Sequence, residues 1–162
     1  MLFLSLLTTF LYKQIKEEKH SKNTIDMSLN TTHDIGADKT LDTILHVALK
    51  YYDLKGLDVG IRYINSKNTP IKEQKNLNGY TNSDGNNYLI TIISTTKKNS
   101  IRIIAHEVTH IKQLYNKEIV LTKDKFLWMN KEMNEIPYDK RPWEIEAFKN
   151  EPIIEEYILN NL

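Results

Sequence analysis

Residues 100–116 read SIRIIAHEVTHIKQLYN and carry the clearest structural signal in this chain. Apolar side chains recur there at steps of three and four, at Ile101, Ile104, Val108, Ile111 and Tyr115. That period predicts a helix from about Ser100 to Asn116, with one apolar face turned towards a core.

His106 and His110 lie on the opposite face of this predicted helix. They are four residues apart, so their ring nitrogens can reach a single ion. Glu107 follows about 100° further round the helix, where it can reach a water beside the ion without becoming a ligand. His-Glu-x-x-His is typical of catalytic zinc sites, in which the glutamate acts as general base. The alternative, a solvated face with two unrelated histidines, is disfavoured by the apolar stripe behind them.

Composition limits which partners and which kinds of active site this chain can have. The 162 residues fit one domain, and 40% apolar content can supply its core. The net charge of +1 and the scarcity of arginine give no electrostatic footprint for nucleic acid, so no nucleic-acid partner is expected. Cysteine is absent, which excludes disulfides, thiolate ligands and cysteine catalysis. A zinc ion would have to be held by histidine and carboxylate.

The first 37 residues differ in composition from the rest of the chain. Residues 1–12, MLFLSLLTTFLY, are largely apolar but short for a membrane span of about twenty residues. A secretory signal needs a basic region before the apolar run and a cleavage site after it, and neither is visible here. A helix packed on the domain, a membrane anchor and an unusual export signal all stay open, with a cytoplasmic location favoured. Polar residues follow, so residues 1–37 are expected to be an apolar segment and linker, and residues 38–162 the functional domain.

Periodicity and turn signals predict the other elements. The expected helices cover Asp38–Leu54 and Trp143–Asn150, with Pro142 suited to the first turn of the second. Pro152 either kinks this second helix or starts a last helix that ends at Leu159. The expected strands are Leu57–Ile64, a weak one near Leu77–Thr81, Tyr88–Ser94 and a short one at Glu118–Leu121. The run Asn82–Asn86 is a strong turn signal between two of them.

A catalytic zinc usually has three protein ligands and one open position. The remaining histidines, His20, His33 and His46, lie far from the motif in sequence, so a carboxylate is the better candidate. Glu144 and Glu146 follow His110 after enough residues for a turn and a returning helix, and both are candidates.

At this point the chain resembles the gluzincin group of zinc metallopeptidases, through His106–His110 and the segment Glu144-Ile145-Glu146-Ala147. In that group the third ligand is commonly the glutamate of an E-x-x-A sequence, which implies Glu144, with Glu146 as its rival. The group's trailing aspartate is replaced by Phe148, so a carboxylate behind a ligand histidine must come from elsewhere or be missing. The resemblance implies an α+β fold of zincin type, with a short mixed sheet packed on the motif helix and on a second ligand-bearing helix.

The resemblance also implies a function. It suggests a small zinc-dependent metalloendopeptidase with a peptide or protein substrate, Zn²⁺ on His106, His110 and Glu144, and Glu107 as general base. The strand Tyr88–Ser94 would form the edge of the cleft and pair with an extended peptide. Tyr138 is the favoured second donor to the oxyanion, with Arg141 and Tyr115 as alternatives.

Other functions stay open at this stage. They are hydrolysis of a different amide, a regulatory peptidase, and a non-catalytic structural or regulatory domain that binds zinc. An intact Glu107 disfavours the last, because a structural zinc site needs no base.

Overall fold

The computed structural model describes residues 39–65, 78–94, 99–122, 124–133 and 136–162, where the chain forms three helices and two small sheets. The helices are α1 (Lys39–Tyr51), α2 (Ser100–Tyr115) and α3 (Pro142–Asn161), and Tyr138–Lys140 form a short 3-10 turn. The strands are β1 (Asp58–Asn65), β2 (Gly79–Asp84), β3 (Asn87–Ser94), β4 (Ile119–Leu121), β5 (Phe126–Trp128) and β6 (Lys131–Glu132). The expected α+β class is confirmed, whereas the expectations for residues 1–37 lie outside the described residues.

The first sheet is mixed, as expected, but the strand expected at the edge of the cleft lies in its middle. The order is β1-β3-β2, with β3 parallel to β1 and antiparallel to β2. A two-residue turn joins β2 to β3, and its Gly85 has φ +60°, which glycine adopts without strain. The prediction that Tyr88–Ser94 forms the edge of the cleft is therefore wrong, because the edge strand beside it is β2.

Burial explains why β3 lies in the middle. Ile90, Thr91 and Ile92 are all fully buried, although successive side chains on a strand point to opposite faces. A strand buried on both faces needs apolar side chains on both, and β3 is the segment richest in β-branched residues. Its backbone groups are then satisfied by a neighbour on each side.

Helix α2 packs between the sheet and the two other helices. Ile104, Val108 and Ile111 of its apolar stripe are fully buried in the main core, together with residues of α1, β3 and α3. Tyr115, the last member of the predicted stripe, is 44% exposed instead. It is the last residue of the helix, where the core no longer covers this face.

Helix α3 begins at Pro142, as predicted, and continues as one element past Pro152. Proline is tolerated in the first turn, whereas Pro152 removes one internal hydrogen bond without ending the helix. The buried positions of α3 recur at three- and four-residue steps, at Glu144, Ala147, Glu151, Ile154 and Ile158. Two carboxylates therefore lie on the face that packs against α2.

The second sheet connects these two helices. Its order is β4-β5-β6, and all its pairs are antiparallel. Phe126 and Trp128 of β5 contact the ring of Trp143 at the start of α3, with ring centroids 4.4 and 6.1 Å apart. This small meander therefore sets where α3 begins relative to α2. Within the part of the chain that the structure describes, no helix is both long and apolar enough to cross a membrane.

Candidate metal centre

Three of the predicted site residues meet between α2 and α3. The Nε2 atoms of His106 and His110 are 3.2 Å apart. Oε2 of Glu144 lies 3.4 Å from Nε2 of His106 and 3.6 Å from Nε2 of His110. Glu144 is 2% exposed, His110 3% and His106 9%, so the cluster is almost closed to solvent.

These distances fit a zinc ion. Zinc–nitrogen and zinc–oxygen bonds of about 2.0–2.2 Å in a tetrahedral site place neighbouring ligand atoms roughly 3.3–3.6 Å apart. Oε2 of Glu144 is buried without a hydrogen-bond partner, although it faces both histidines. A buried carboxylate oxygen next to two imidazole nitrogens is stabilised by a cation, because an unpaired buried charge is costly. The donor set of two imidazoles and one carboxylate is the set that suits catalytic zinc.

The short distances between these ionisable groups shift their pKa values in the metal-free protein. Burial by itself lowers the pKa of His106, but the nearby carboxylates of Glu144, Glu151 and Glu107 outweigh it and raise the pKa to about 10. The pKa of His110 is raised for the same reason, against the effect of burial. Burial raises the pKa of Glu144, yet the two histidines outweigh burial and lower it. The cluster thus attracts positive charge, as protons or as a metal ion.

Glu107 points from α2 towards the edge strand β2. Its carboxylate is 4% exposed and accepts a hydrogen bond of 2.8 Å from the hydroxyl of Thr81. Burial raises the pKa of Glu107, and the histidines and Thr81 oppose this only in part. A raised pKa makes a carboxylate a better proton acceptor near neutral pH.

Gly79 lets β2 approach α2 this closely. A Cβ at this position would lie 2.6 Å from Cγ2 of Ile103 and 3.2 Å from Oε1 of Glu107. A side chain here would therefore push β2 away from the motif helix or displace the carboxylate of Glu107. Neither Gly79 nor Thr81 was singled out from the sequence as a site residue, because their strand carries only a weak periodic signal.

His106 is backed by a carboxylate that sequence reasoning missed. Nδ1 of His106 lies 3.2 Å from Oε2 of Glu151, whose other oxygen accepts a short hydrogen bond from Nε of Arg102. Phe148, at the position where the resemblance implied aspartate, packs its ring against His106 with centroids 4.7 Å apart. Glu151 therefore supplies the missing carboxylate almost one turn further along α3. The three- and four-residue spacing of the buried positions on α3 includes Glu151. Apolar residues at exposed positions of the same helix, Ile145 and Phe148, hide that spacing in the sequence.

The ring of His110 is hydrogen-bonded to a side-chain amide. Its Nδ1 lies 2.8 Å from Oε1 of Gln113, which is fully buried one turn further along α2. Gln113 also donates from Nε2 to the carbonyl of Trp143 at 3.0 Å and to Glu146 at 3.1 Å. Both histidines thus use Nδ1 for a hydrogen bond and direct Nε2 towards Glu144.

The rival ligand Glu146 lies outside the cluster. Its Oε1 is 2.8 Å from Nζ of Lys112, and its Oε2 accepts the bond from Gln113. On a helix, residues 144 and 146 are separated by about 200°, so only one of them can face the histidines. The packing of α3 selects Glu144.

The predicted oxyanion donors differ in position. Tyr138 is 48% exposed and packs edge-on to Phe148 with ring centroids 6.2 Å apart. Burial of part of its ring, with the charges of Glu144 and Glu107 nearby, raises the pKa of Tyr138, so its hydroxyl stays protonated and can donate. Arg141 is 5% exposed beside the Tyr138 ring, and its Nη1 has no hydrogen-bond partner. Tyr115 is near Tyr88 at the end of α2, and it raises the pKa of Tyr88 after the larger effect of burial.

His46, which lies far from the motif in sequence, is exposed on α1. Among the described residues, the cluster of potential metal ligands consists of His106, His110 and Glu144 alone.

No protein-family model matches this chain, and neither a curated protein nor a solved structure matches it. The case for a metal centre therefore rests on the geometry of the chain itself.

Proposed function

We propose that this protein is a zinc-dependent hydrolase of zincin-like fold that cleaves peptide bonds. The observation that carries the proposal is the buried cluster of His106, His110 and Glu144, with the carboxylate of Glu107 beside it. A purely structural site has no use for that carboxylate, because burial of a carboxylate costs free energy. A hydrolase requires it as a base.

Each residue then has a distinct role. His106 and His110 would hold zinc through Nε2 and Glu144 through Oε2, and zinc supplies Lewis acidity together with activation of water at its open position. Glu107 would take a proton from the attacking water and pass it to the leaving amine. Thr81 donates a hydrogen bond to Oε2 of Glu107 and so would hold that carboxylate in a fixed position against β2. Tyr138 would donate to the carbonyl oxygen as negative charge develops there.

The edge strand supports a polypeptide substrate. Among the described residues β2 pairs with β3 alone, so no described strand pairs with its outer side. Thr81 places β2 directly against Glu107, so a peptide that pairs with β2 would run past the base. Such pairing reads backbone rather than side chains, which suits a peptide substrate.

The deciding experiment combines metal content with cleavage. Purified wild-type protein should hold about one zinc per chain and should cleave casein or members of a peptide library. Glu107→Gln keeps the size of the side chain but cannot take a proton. We expect full zinc occupancy and a loss of activity of about 10²- to 10⁴-fold, as removal of a general base implies.

Other outcomes point elsewhere. Zinc binding with no cleavage of any library member would support the non-catalytic zinc-binding domain instead. A Glu107→Gln variant as active as wild type would show that another group activates the water. Absence of stoichiometric zinc from wild-type protein reconstituted with zinc would overturn the proposal itself.

A further inference from the structure

We propose that Gln113 is the positioning residue for His110: it sets which ring nitrogen faces the metal and ties that ring to the first turn of α3. The inference rests on the proposed zinc site and adds a residue that the His-Glu-x-x-His pattern does not contain. Gln113 lies one turn beyond His110 on the same face of α2, and it is fully buried.

The orientation of the Gln113 amide follows from its neighbours. Nε2 faces the backbone carbonyl of Trp143 at 3.0 Å and the carboxylate of Glu146 at 3.1 Å. A carbonyl oxygen and a carboxylate oxygen both accept hydrogen bonds, so only the NH₂ end of the amide can satisfy them. The oxygen end must then face Nδ1 of His110 at 2.8 Å, which requires a proton on Nδ1. The two acceptors on α3 therefore determine the tautomer of a ring on α2.

The consequence for the metal site is direct. With Nδ1 protonated, the lone pair of the neutral His110 ring is on Nε2, which lies 3.6 Å from Oε2 of Glu144. Gln113 thus joins a ligand on α2 to the helix that carries the third ligand. If Gln113 were lost, the His110 ring could turn, or take the other tautomer, and α3 could shift relative to α2.

The two histidines are held by different chemistry. His106 faces the carboxylate of Glu151, which also binds the Arg102 guanidinium, whereas His110 faces a neutral amide. An amide fixes the ring without adding a negative charge to a site that already contains Glu144 and Glu107. Gln113 therefore orients a ligand without increasing the electrostatic repulsion inside the cluster.

A purely structural role for Gln113 would be to link two helices, and Lys112 provides the matched control. Nζ of Lys112 also binds Glu146, at 2.8 Å, and makes a second ion pair with Glu118, and among the described residues its hydrogen bonds and ion pairs do not include a histidine. Lys112→Met and Gln113→Met each remove one bond to the same carboxylate. Only Gln113→Met removes the partner of His110.

The test measures zinc affinity by competition with a chelator, together with the thermal stability of the metal-free protein and the visible spectrum of its cobalt-loaded form. We expect Gln113→Met to weaken zinc binding by about 10- to 100-fold, as loss of a histidine's hydrogen-bond partner does in zinc sites. Its cobalt spectrum should also change in position or intensity. Lys112→Met should leave zinc affinity and the cobalt spectrum unchanged while lowering metal-free stability.

A Gln113→Met variant that loses metal-free stability but keeps wild-type zinc affinity and cobalt spectrum would show that Gln113 is structural only. Wild-type protein that binds no zinc would instead overturn the proposed function, and this inference with it. Nitrogen-15 NMR of zinc-loaded wild-type protein provides a check that does not depend on a variant that folds. We expect Nδ1 of His110 to carry the proton and Nε2 to bind zinc; the reverse assignment would exclude the role of Gln113.

Discussion

Oε2 of Glu151 lies 3.2 Å from Nδ1 of His106, two helical turns beyond Glu144 on the same face of α3. One helix therefore supplies both the carboxylate that faces the Nε2 atoms and the carboxylate that orients one of the rings. The position one turn after Glu144 is filled by Phe148, whose ring packs against His106.

This relationship gives the first prediction. Glu151→Leu should weaken zinc binding by about 10- to 100-fold, because His106 loses the partner of its Nδ1–H. Adding Phe148→Asp in that background should restore part of the affinity, because it returns a carboxylate close to the same ring. The measurement is competition with a chelator at constant pH. Unchanged zinc affinity in Glu151→Leu would show that the contact with His106 does not support the metal.

A second prediction separates the two glutamates at the start of α3. Glu144→Gln should weaken zinc binding by more than about 100-fold, beyond the usual effect of losing an indirect partner, because a ligand atom is replaced. Glu146→Gln should have a much smaller effect, because Glu146 binds Lys112 and Gln113 rather than the histidines. The two variants have the same change of charge and differ by two positions, so each controls for the other. The opposite order of affinities would assign the ligand role to Glu146.

A third prediction concerns the close approach of β2 to α2. Gly79→Ala should lower the free energy of unfolding by about 1–3 kcal/mol, the usual cost of overpacking, because its Cβ would meet Cγ2 of Ile103 at 2.6 Å. Activity should also fall, because the carboxylate of Glu107 lies 3.2 Å from the same Cβ. Denaturant unfolding and peptide cleavage measure the two effects.

Gly60→Ala is the control in the same sheet. Among the described residues, its Cβ would meet a terminal methyl of Leu89, at 3.3 Å, and no backbone atom, so its cost should be smaller and zinc-dependent cleavage should persist. Equal effects of the two substitutions would argue against a special fit of β2 to the motif helix.

A fourth prediction is the pH dependence of metal-free stability. The pKa of His106 is raised from 6.5 to about 10, so its contribution to stability is fully present below pH 6.5 and is lost as pH rises towards 10. The raised pKa values of His110 and Glu107 act in the same direction. The lowered pKa of Glu144 contributes stability above pH 4.5 that is lost as the pH falls. Metal-free protein should therefore be most stable between about pH 5 and 6.5.

The check is denaturant unfolding of chelator-treated protein at a series of pH values that includes pH 6 and pH 9, with zinc-loaded protein as the control. Zinc requires neutral histidines, so zinc affinity should rise with pH while metal-free stability falls. A metal-free protein equally stable at pH 6 and pH 9 would contradict the coupling of these groups.

Local sequence was sufficient for much of the secondary structure. Helix α2 was predicted at Ser100–Asn116 and found at Ser100–Tyr115, because a long run with a three- and four-residue period needs no information from elsewhere in the chain. The start of α3 at Pro142 follows equally from local chemistry, since proline suits the first turn of a helix. The four-residue spacing of His106 and His110 brings their rings together on any helix.

Tertiary structure decided the rest, because the remaining features depend on contacts between segments far apart in sequence. The position of β2 at the edge follows from β3 being buried on both faces, which strand periodicity alone did not reveal. The choice of Glu144 over Glu146 depends on the rotation of α3, and that rotation is set by the packing of its apolar face on α2. Thr81 behind Glu107 and Glu151 behind His106 became visible only once the helices and sheet were packed together. The sequence by itself determined the helical spacing that brings His106 and His110 together, and long-range packing determined which carboxylates and which amide lie around the two rings.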